Sequence, residues 1–208
     1  MGRFEGEFAA RAEELVGLYP ERRSAVLPLC HLAQEQDGWL TPEAIRHIAE
    51  LVGQTPAEVQ GAASFYDMLH LEPVGRYVVG ICTNIACLLR DGDRLLEAAE
   101  ELLGVGVGGT TPDGLITLEE VECVAHCDKA PAVQVNYRYF GPVTPTSFEE
   151  LVGQLRRGEL DGEVPPHGVL SRVRRAAPPP IPLDEIDAER ARQDAERAER
   201  ARQAESGS

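Results

Sequence analysis

The apolar residues in the first third of the chain recur at the spacing of amphipathic helices. One helix is expected to begin after Thr41, a capping residue followed by the proline that favours a first helical turn, and to end at a glycine. Another begins at Thr55, which opens a capping box. Two earlier helices are expected around residues 5–18 and 22–36. No segment here alternates as a strand does, so we predict a helical bundle.

The pattern then changes to short apolar runs that alternate with helical repeats. The runs Tyr77–Ile81 and Leu115–Val121 are typical of buried strands, and Val133–Tyr137 alternates as a half-buried strand does. Leucines at helical spacing predict one helix over Ala86–Leu103, and a last helix is expected where Thr146 opens another capping box. The order strand, helix, strand, strand, helix predicts an α/β layer of thioredoxin type, and the fold class is α+β.

These changes of pattern divide the chain into three predicted segments. A helical bundle covers residues 1–74, and a thioredoxin-like α/β domain covers residues 75–158. Residues 159–208 are expected to form a Pro-rich linker, AAPPPIP at 176–182, and a charged polar tail over 184–205. The tail has almost no apolar face and cannot pack into a core, so we assign no chemistry to it.

Composition and charge restrict the classes of partner. The 208 residues are 43% hydrophobic, which is enough for a sizeable core. Lys and Arg number 20 against 35 Asp and Glu, and this net charge of −15 argues against binding to nucleic acid or to an acidic membrane surface. No apolar run approaches the roughly 20 residues that span a bilayer. Because the N-terminus also lacks the apolar core of a signal peptide, we expect a cytoplasmic protein.

Four of the five cysteines form two close pairs. Cys82 and Cys87 are spaced C-x4-C, and Cys123 and Cys127 are spaced C-x3-C. Each pair follows a predicted strand, so two neighbouring strands would bring all four thiols to one edge of the sheet. Four thiolates on two loops are what a 2Fe–2S cluster needs, with two thiolates for each iron. The sequence therefore predicts a cluster on these four residues.

Three other interpretations of the four cysteines stay open on spacing alone. A structural zinc also takes four thiolates, although its ligands are usually spaced C-x2-C. Two disulfides need an oxidising compartment, and four unrelated core thiols need no common function. A dithiol exchanger is excluded because the chain has no C-x-x-C pair. The fifth cysteine, Cys30, lies among leucines on a predicted helix and is expected to be a small core residue.

One glycine-rich stretch, Gly104–Gly109, matches the G-x-G-x-x-G pattern of dinucleotide sites. That pattern binds a dinucleotide when it follows a strand and opens a helix. Here it follows a predicted helix and precedes a predicted strand. We therefore interpret it as a connector.

The sequence around the four cysteines resembles a known family. The segments VVGICTNIACLLRDGD at 78–93 and ITLEEVECVAHCDKAPAVQVN at 116–136 are similar to the thioredoxin-like 2Fe–2S subunit of respiratory NADH:quinone oxidoreductase (complex I), the 24-kDa family. VQGAASFY at Val59–Tyr66 is similar to the segment that precedes the ferredoxin domain in that family. The resemblance covers about residues 5–157.

This resemblance implies a single 2Fe–2S cluster carried by Cys82, Cys87, Cys123 and Cys127. It also implies a one-electron carrier in the peripheral arm of complex I, on the inner face of the cell membrane. Its neighbour would be the flavoprotein subunit that binds FMN and NADH, which this chain itself would not bind. His126 stands where the family usually has a small or neutral residue, and this departure bears on the redox potential.

Two alternatives to complex I remain on sequence grounds. The first is the equivalent 2Fe–2S subunit of an NAD-reducing hydrogenase or of an NAD-dependent formate dehydrogenase. The second is a zinc-stabilised binding module with no redox role.

Overall fold

The computed structural model describes residues 2–165, 167–168 and 191–192. The chain divides into two compact units, Met1–Val173 and Arg174–Ser208. In chain order the first unit contains α1 (Glu7–Gly17), α2 (Val26–Asp37), α3 (Pro42–Val52), α4 (Pro56–Ala63), β1 (Tyr77–Cys82), α5 (Ile85–Leu88), α6 (Gly92–Leu103), β2 (Ile116–Val121), β3 (Val133–Val135), β4 (Arg138–Phe140) and α7 (Pro145–Arg157). Short 3₁₀ turns lie at Arg22–Ala25 and Cys127–Lys129.

Local capping explains where the helices of the first part begin and end. The Thr41 hydroxyl accepts a hydrogen bond from the Ala44 N–H at 3.1 Å, and Thr55 forms the predicted capping box at the start of α4. Gly53 ends α3 in the left-handed conformation, with φ of 73°. The predicted helix over 22–36 is divided, because a 3₁₀ turn precedes α2. The bundle is otherwise as predicted.

The sheet has four strands in the order β2-β1-β3-β4. β1 pairs in parallel with β2, from Tyr77 opposite Ile116 to Cys82 opposite Val121. β3 pairs antiparallel with β1 and with β4. Every residue of β1 is buried, which is why this central strand is apolar throughout. The fold class is therefore α+β with a mixed sheet, as expected.

Three elements differ from the sequence predictions. The helix expected over Ala86–Leu103 is two helices, because the chain turns between them and Asp91 takes a left-handed conformation with φ of 65°. The last helix is capped by Thr144, not by Thr146, since Pro145 occupies the first helical position. β4 was not predicted, and it follows a tight turn after β3.

Two large clusters of buried residues form most of the core. One lies among the helices of the first part, from Phe4 to Leu69, and the other lies around the sheet, α6 and α7. Leu160 and Val164, beyond α7, belong to the second cluster. The predicted domain boundaries at residues 74 and 158 stay predictions.

The predicted linker at 176–182 lies outside the described residues. Of the predicted tail, only residues 191–192 are described, and they are helical. Gly104–Gly109 joins α6 to the segment before β2, which is the connector expected from the sequence. None of the helices in the described part of the chain has the length and apolar character that crossing a bilayer requires.

Candidate metal centre

The parallel pairing of β1 and β2 determines where the four thiols lie. Both strands end at the same edge of the sheet, where Cys82 is opposite Val121. Cys82 is the last residue of β1, and Cys87 lies in α5 immediately beyond it. Cys123 follows β2 by two residues, and Cys127 begins the second 3₁₀ turn. Neighbouring strands thus bring both pairs to one edge, as the sequence predicted.

The first pair is buried. Cys82 and Cys87 are 3% and 2% exposed, and they pack with Ala132 in a small apolar cluster of their own. Their side chains pack against each other in this cluster. The Cys82 thiol also donates to the Glu122 carbonyl, with 3.6 Å between sulfur and oxygen. The structure therefore brings these two thiols into direct contact.

The protonation of Cys87 follows from this environment. The pKa of the Cys87 thiol is raised to about 11, chiefly by burial and also by the neighbouring Cys82 and Cys127, against a hydrogen bond from the Ala132 backbone that lowers it. At neutral pH an isolated thiol in this position keeps its proton. A thiol that coordinates a metal is deprotonated, so metal binding at Cys87 releases a proton.

The second pair is exposed. Cys123 and Cys127 both face solvent. The Ala125 N–H donates to the Cys123 sulfur at 3.3 Å, and Ala125 has a left-handed backbone with φ of 57° that turns the loop between the two cysteines. Cys127 is close enough to Cys87 to raise its pKa, so one thiol of the second pair lies within electrostatic reach of the first.

The four cysteines lie two to a loop, on the loops that follow the neighbouring strands β1 and β2. Within the described ranges, no three His, Cys, Asp or Glu side chains are placed to hold one metal ion between them. A 2Fe–2S cluster takes two thiolates on each iron, so a pair on each of two loops is the arrangement that it needs. The donor set and its placement fit this group.

Contacts that the sequence analysis missed hold the two loops together. The Thr83 hydroxyl donates to the Glu120 carboxylate at 2.7 Å, and the Thr83 N–H donates to the Val121 carbonyl at 3.2 Å. The Cys82 N–H donates to the Ala132 carbonyl at 3.1 Å. The position of Thr83 beside Cys82 was visible in the sequence, but its hydrogen-bond partner depends on strand register.

Gly92, at the start of α6, is a further residue that was missed. A Cβ atom at this position would lie 2.9 Å from the carbonyl carbon and oxygen of Cys87, and 3.0 Å from the carbonyl oxygen of Cys82. These atoms belong to the backbone and cannot rotate away. The close approach of α6 to the cysteine loop therefore requires a residue without a side chain.

His126 is held beside the fourth cysteine by an aromatic neighbour. Its ring stacks on Tyr139, with 5.9 Å between ring centroids and 25° between ring planes. Its Nδ1 lies 3.8 Å from a carboxylate oxygen of Asp128. These contacts place the imidazole next to the second pair of thiols without making it one of four ligands.

Residues 12–156 match the family described as thioredoxin-like 2Fe-2S ferredoxin. The chain belongs to this family. Its cofactor is accordingly a 2Fe–2S cluster, and the thioredoxin-like part of the fold prediction is confirmed. The same match confirms the resemblance noted in the sequence.

Curated relatives extend the comparison to named proteins. The chain is 50% identical over 145 residues to an NADH-quinone oxidoreductase subunit of Mycobacterium tuberculosis, a match that covers 70% of this chain and 58% of the relative. It is 42% identical over 155 residues to NADH-quinone oxidoreductase subunit 2 of Thermus thermophilus, covering 73% and 86%. The chain thus spans little more than half the length of the mycobacterial relative.

A solved structure gives the same fold at lower identity. The NAD+-reducing NiFe hydrogenase in its H2-reduced state matches with a TM-score of 0.59 and 19% identity, over 74% of this chain and 26% of that chain. At this identity the likeness shows the fold alone.

Proposed function

We propose that Cys82, Cys87, Cys123 and Cys127 hold the 2Fe–2S cluster, with the first pair on one iron and the second pair on the other. The parallel pairing of β1 and β2 is the observation that carries this assignment, because it brings both loops to one sheet edge. The contact between Cys82 and Cys87, and the effect of Cys127 on the pKa of Cys87, support it.

The residues around the thiols shape the properties of this site. When bound, the cluster takes up and releases one electron. Backbone N–H groups of Ala125 and Ala132 point at sulfur and stabilise negative charge there. Exposed carboxylates at Glu122 and Asp128 disfavour an added electron, whereas Lys129 favours it. The buried pair keeps water from one side of the site, and the exposed pair leaves the other side open.

In this proposal the chain is the one-electron carrier subunit of an NADH:quinone oxidoreductase. The names of its relatives support this role. FMN and NADH bind to a flavoprotein partner in the peripheral arm. This chain lies beside that partner and carries one electron at a time. The complex holds the chain at the inner face of the cell membrane, in the cytoplasm, without membrane insertion and without nucleic acid.

A second candidate is the equivalent subunit of an NAD-reducing hydrogenase. The sequence resemblance left this candidate open, and the fold match to such a hydrogenase at 19% identity does not discriminate between the two. Purification of the native complex separates the two, because a hydrogenase contains nickel and the quinone reductase does not. Nickel that co-purifies with this chain would contradict the complex I assignment.

The ligand assignment is tested by single Cys→Ala substitutions in the full chain, with iron and acid-labile sulfide measured on protein purified without added metal. The native protein should contain two irons and two sulfides per chain. Each of the four ligand variants should lose most of both. Cys30→Ala is the matched control, because Cys30 is fully buried in the helical core, and this variant should keep the cluster. Full iron content in any ligand variant would contradict the assignment.

A further inference from the structure

The loop at residues 122–132, which we call the second cysteine loop, joins β2 to β3 and carries both exposed thiols. A backbone hydrogen bond holds its last residue, because the Cys82 N–H donates to the Ala132 carbonyl at 3.1 Å. In the described part of the chain, residues 123–130 form one backbone–backbone hydrogen bond, and it stays within the loop. The part of the loop that carries the thiols therefore depends on other contacts for its position.

Packing supports this loop on one side and leaves space on another. Val124 and Ala130 pack against the small apolar cluster of the buried thiols. A cavity of about 850 Å³ also lies beside the loop, and Cys123, Val124 and Tyr139 are among the residues that line it. A segment with few packed neighbours moves easily unless specific contacts hold it. The contacts that reach this loop from the rest of the fold therefore determine where its thiols lie.

β4 brings an aromatic ring to the second cysteine loop. Strand side chains alternate between the two faces of a sheet, and Phe140 packs against the core around the sheet, so Tyr139 points to the other face. Its ring stacks on His126, with centroids 5.9 Å apart and ring planes 25° apart. Because Tyr139 is 47% exposed, its ring is not needed to fill the core. The stack instead connects β4 to the residue that precedes Cys127.

The turn after β4 contacts the same loop at a second point. A Cβ atom at Gly141 would overlap the carbonyl oxygen of Lys129 and lie 3.0 Å from the Lys129 Cβ. The backbone can approach Lys129 this closely only at a residue without a side chain. Two residues later, the N–H of the buried Val143 donates to the Pro131 carbonyl at 2.9 Å. β4 and its turn thus contact the loop one residue before Cys127 and two residues after it.

We propose that Tyr139 and Gly141 are positioning residues for the exposed pair of cluster ligands. Tyr139 acts through the ring of His126. Gly141 acts through the backbone of Lys129. Together these contacts keep Cys127 close to the buried pair of thiols. A 2Fe–2S cluster needs both pairs at a fixed separation, because its two irons share the same sulfides. This inference rests on the proposed function, since it needs the four cysteines to be the ligands.

Substitutions of Tyr139 in the full chain, purified without added metal, test the inference. Tyr139→Ala should release iron to a chelator about two- to tenfold faster than the native protein, the factor expected for loss of one aromatic pair. Its electron paramagnetic resonance spectrum after reduction should broaden, because the ligand positions vary more when the loop is less fixed. Tyr139→Phe keeps the ring and should restore both properties. Tyr19→Ala, which removes a tyrosine 36% exposed after α1, is the matched control and should behave as native.

Gly141→Ala tests the second contact. The added methyl group would overlap the Lys129 carbonyl, so this variant should displace the loop and contain less iron than the native protein. Gly17→Ala is its matched control, because no atom lies within 4 Å of the added Cβ, and it should keep the native iron content. If Gly141→Ala does not fold, the tyrosine variants still decide the question.

The outcomes separate positioning from overall stability and from the ligand assignment. Native iron release and a native spectrum in Tyr139→Ala would overturn the inference, whatever Gly141→Ala shows. A Tyr139→Phe variant that behaves like Tyr139→Ala would also overturn it, because the ring would then not be what matters. So would a Tyr139→Ala variant with a native spectrum and a lower urea midpoint, since lost stability would then explain faster iron release. A native chain without the cluster signal would instead refute the proposed function.

Discussion

The position of the first cysteine loop depends on the space around one glycine, Gly92. The missing side chain of Gly92 lets α6 approach the carbonyl groups of Cys82 and Cys87. We expect Gly92→Ala to push this loop outward and to lower the iron content of the purified protein, at a cost in stability of about 1–3 kcal/mol as in other overpacked sites. Iron analysis and urea unfolding measure the two effects.

Gly61→Ala is the matched control for that substitution. Gly61 lies in α4, and no atom lies within 4 Å of the Cβ that alanine would add. Because alanine favours a helix over glycine, this variant should keep its iron and gain up to about 1 kcal/mol. Equal iron content in the Gly92 and Gly61 variants would show that cluster binding does not require the close approach of α6 to the first cysteine loop.

The position of the four proposed ligands in the fold could be predicted from sequence, because their spacing and their place after strands are local features. Cys82, Cys87, Cys123 and Cys127 all lie at the predicted sheet edge. Gly92 could not be recognised in this way. Its role depends on how closely α6 packs on the backbone of the first cysteine loop. The sequence pattern of α6 does not predict that distance.

The two cysteine loops are separate elements that a side-chain contact joins. Thr83 follows Cys82, the first proposed ligand, and its hydroxyl donates to Glu120 near the end of β2. Since the contact is exposed, we expect a double-mutant cycle with Thr83→Val and Glu120→Ala to give a coupling of about 0.5–1 kcal/mol. Urea unfolding of the four proteins measures it, and independent effects of the two substitutions would contradict the contact.

Elements with strong local signals were predicted well. Thr41, Thr55 and the glycines after the helices mark real boundaries. The break between α5 and α6 was missed because leucines on both sides keep a helical spacing across it, although the chain turns at Asp91. β4 was missed because its three residues are largely exposed and pair only with another short strand. β4 is defined by its pairing with β3, and its own hydrophobic pattern does not predict a strand.

Two buried histidines, His31 and His167, and the half-buried His70 lie in distant parts of the sequence. His31 lies in α2, His70 precedes β1, and the ring of His167 contacts the Gly75 carbonyl at 3.2 Å. Burial lowers the pKa of His70 to about 4 and also lowers the pKa of His31 and of His167. The carboxyl of Glu119 lies 3.9 Å from His70, and burial raises its pKa. Its effect on the free energy of unfolding therefore has the opposite sign, because the folded carboxyl binds a proton more readily than the unfolded one.

These pKa shifts predict a loss of stability in acid. Below pH 6.5 these histidines bind protons in the unfolded chain but stay neutral in the folded protein. The free energy of unfolding therefore falls as the pH falls from 6.5 towards 4. Above pH 6.5 both states are neutral at these residues and the effect vanishes. His70→Gln should reduce the difference between urea midpoints at pH 7 and pH 5. A variant with the native pH dependence would contradict a role for His70.

The central claim is that four thiolates at one sheet edge hold a 2Fe–2S cluster in this chain. The most direct measurement is an electron paramagnetic resonance spectrum of the full protein, purified without added metal and reduced with dithionite. The predicted result is a spin one-half signal that integrates to about one spin per chain and is absent from the oxidised protein. A colourless protein that contains zinc and gives no signal after reduction would contradict the claim.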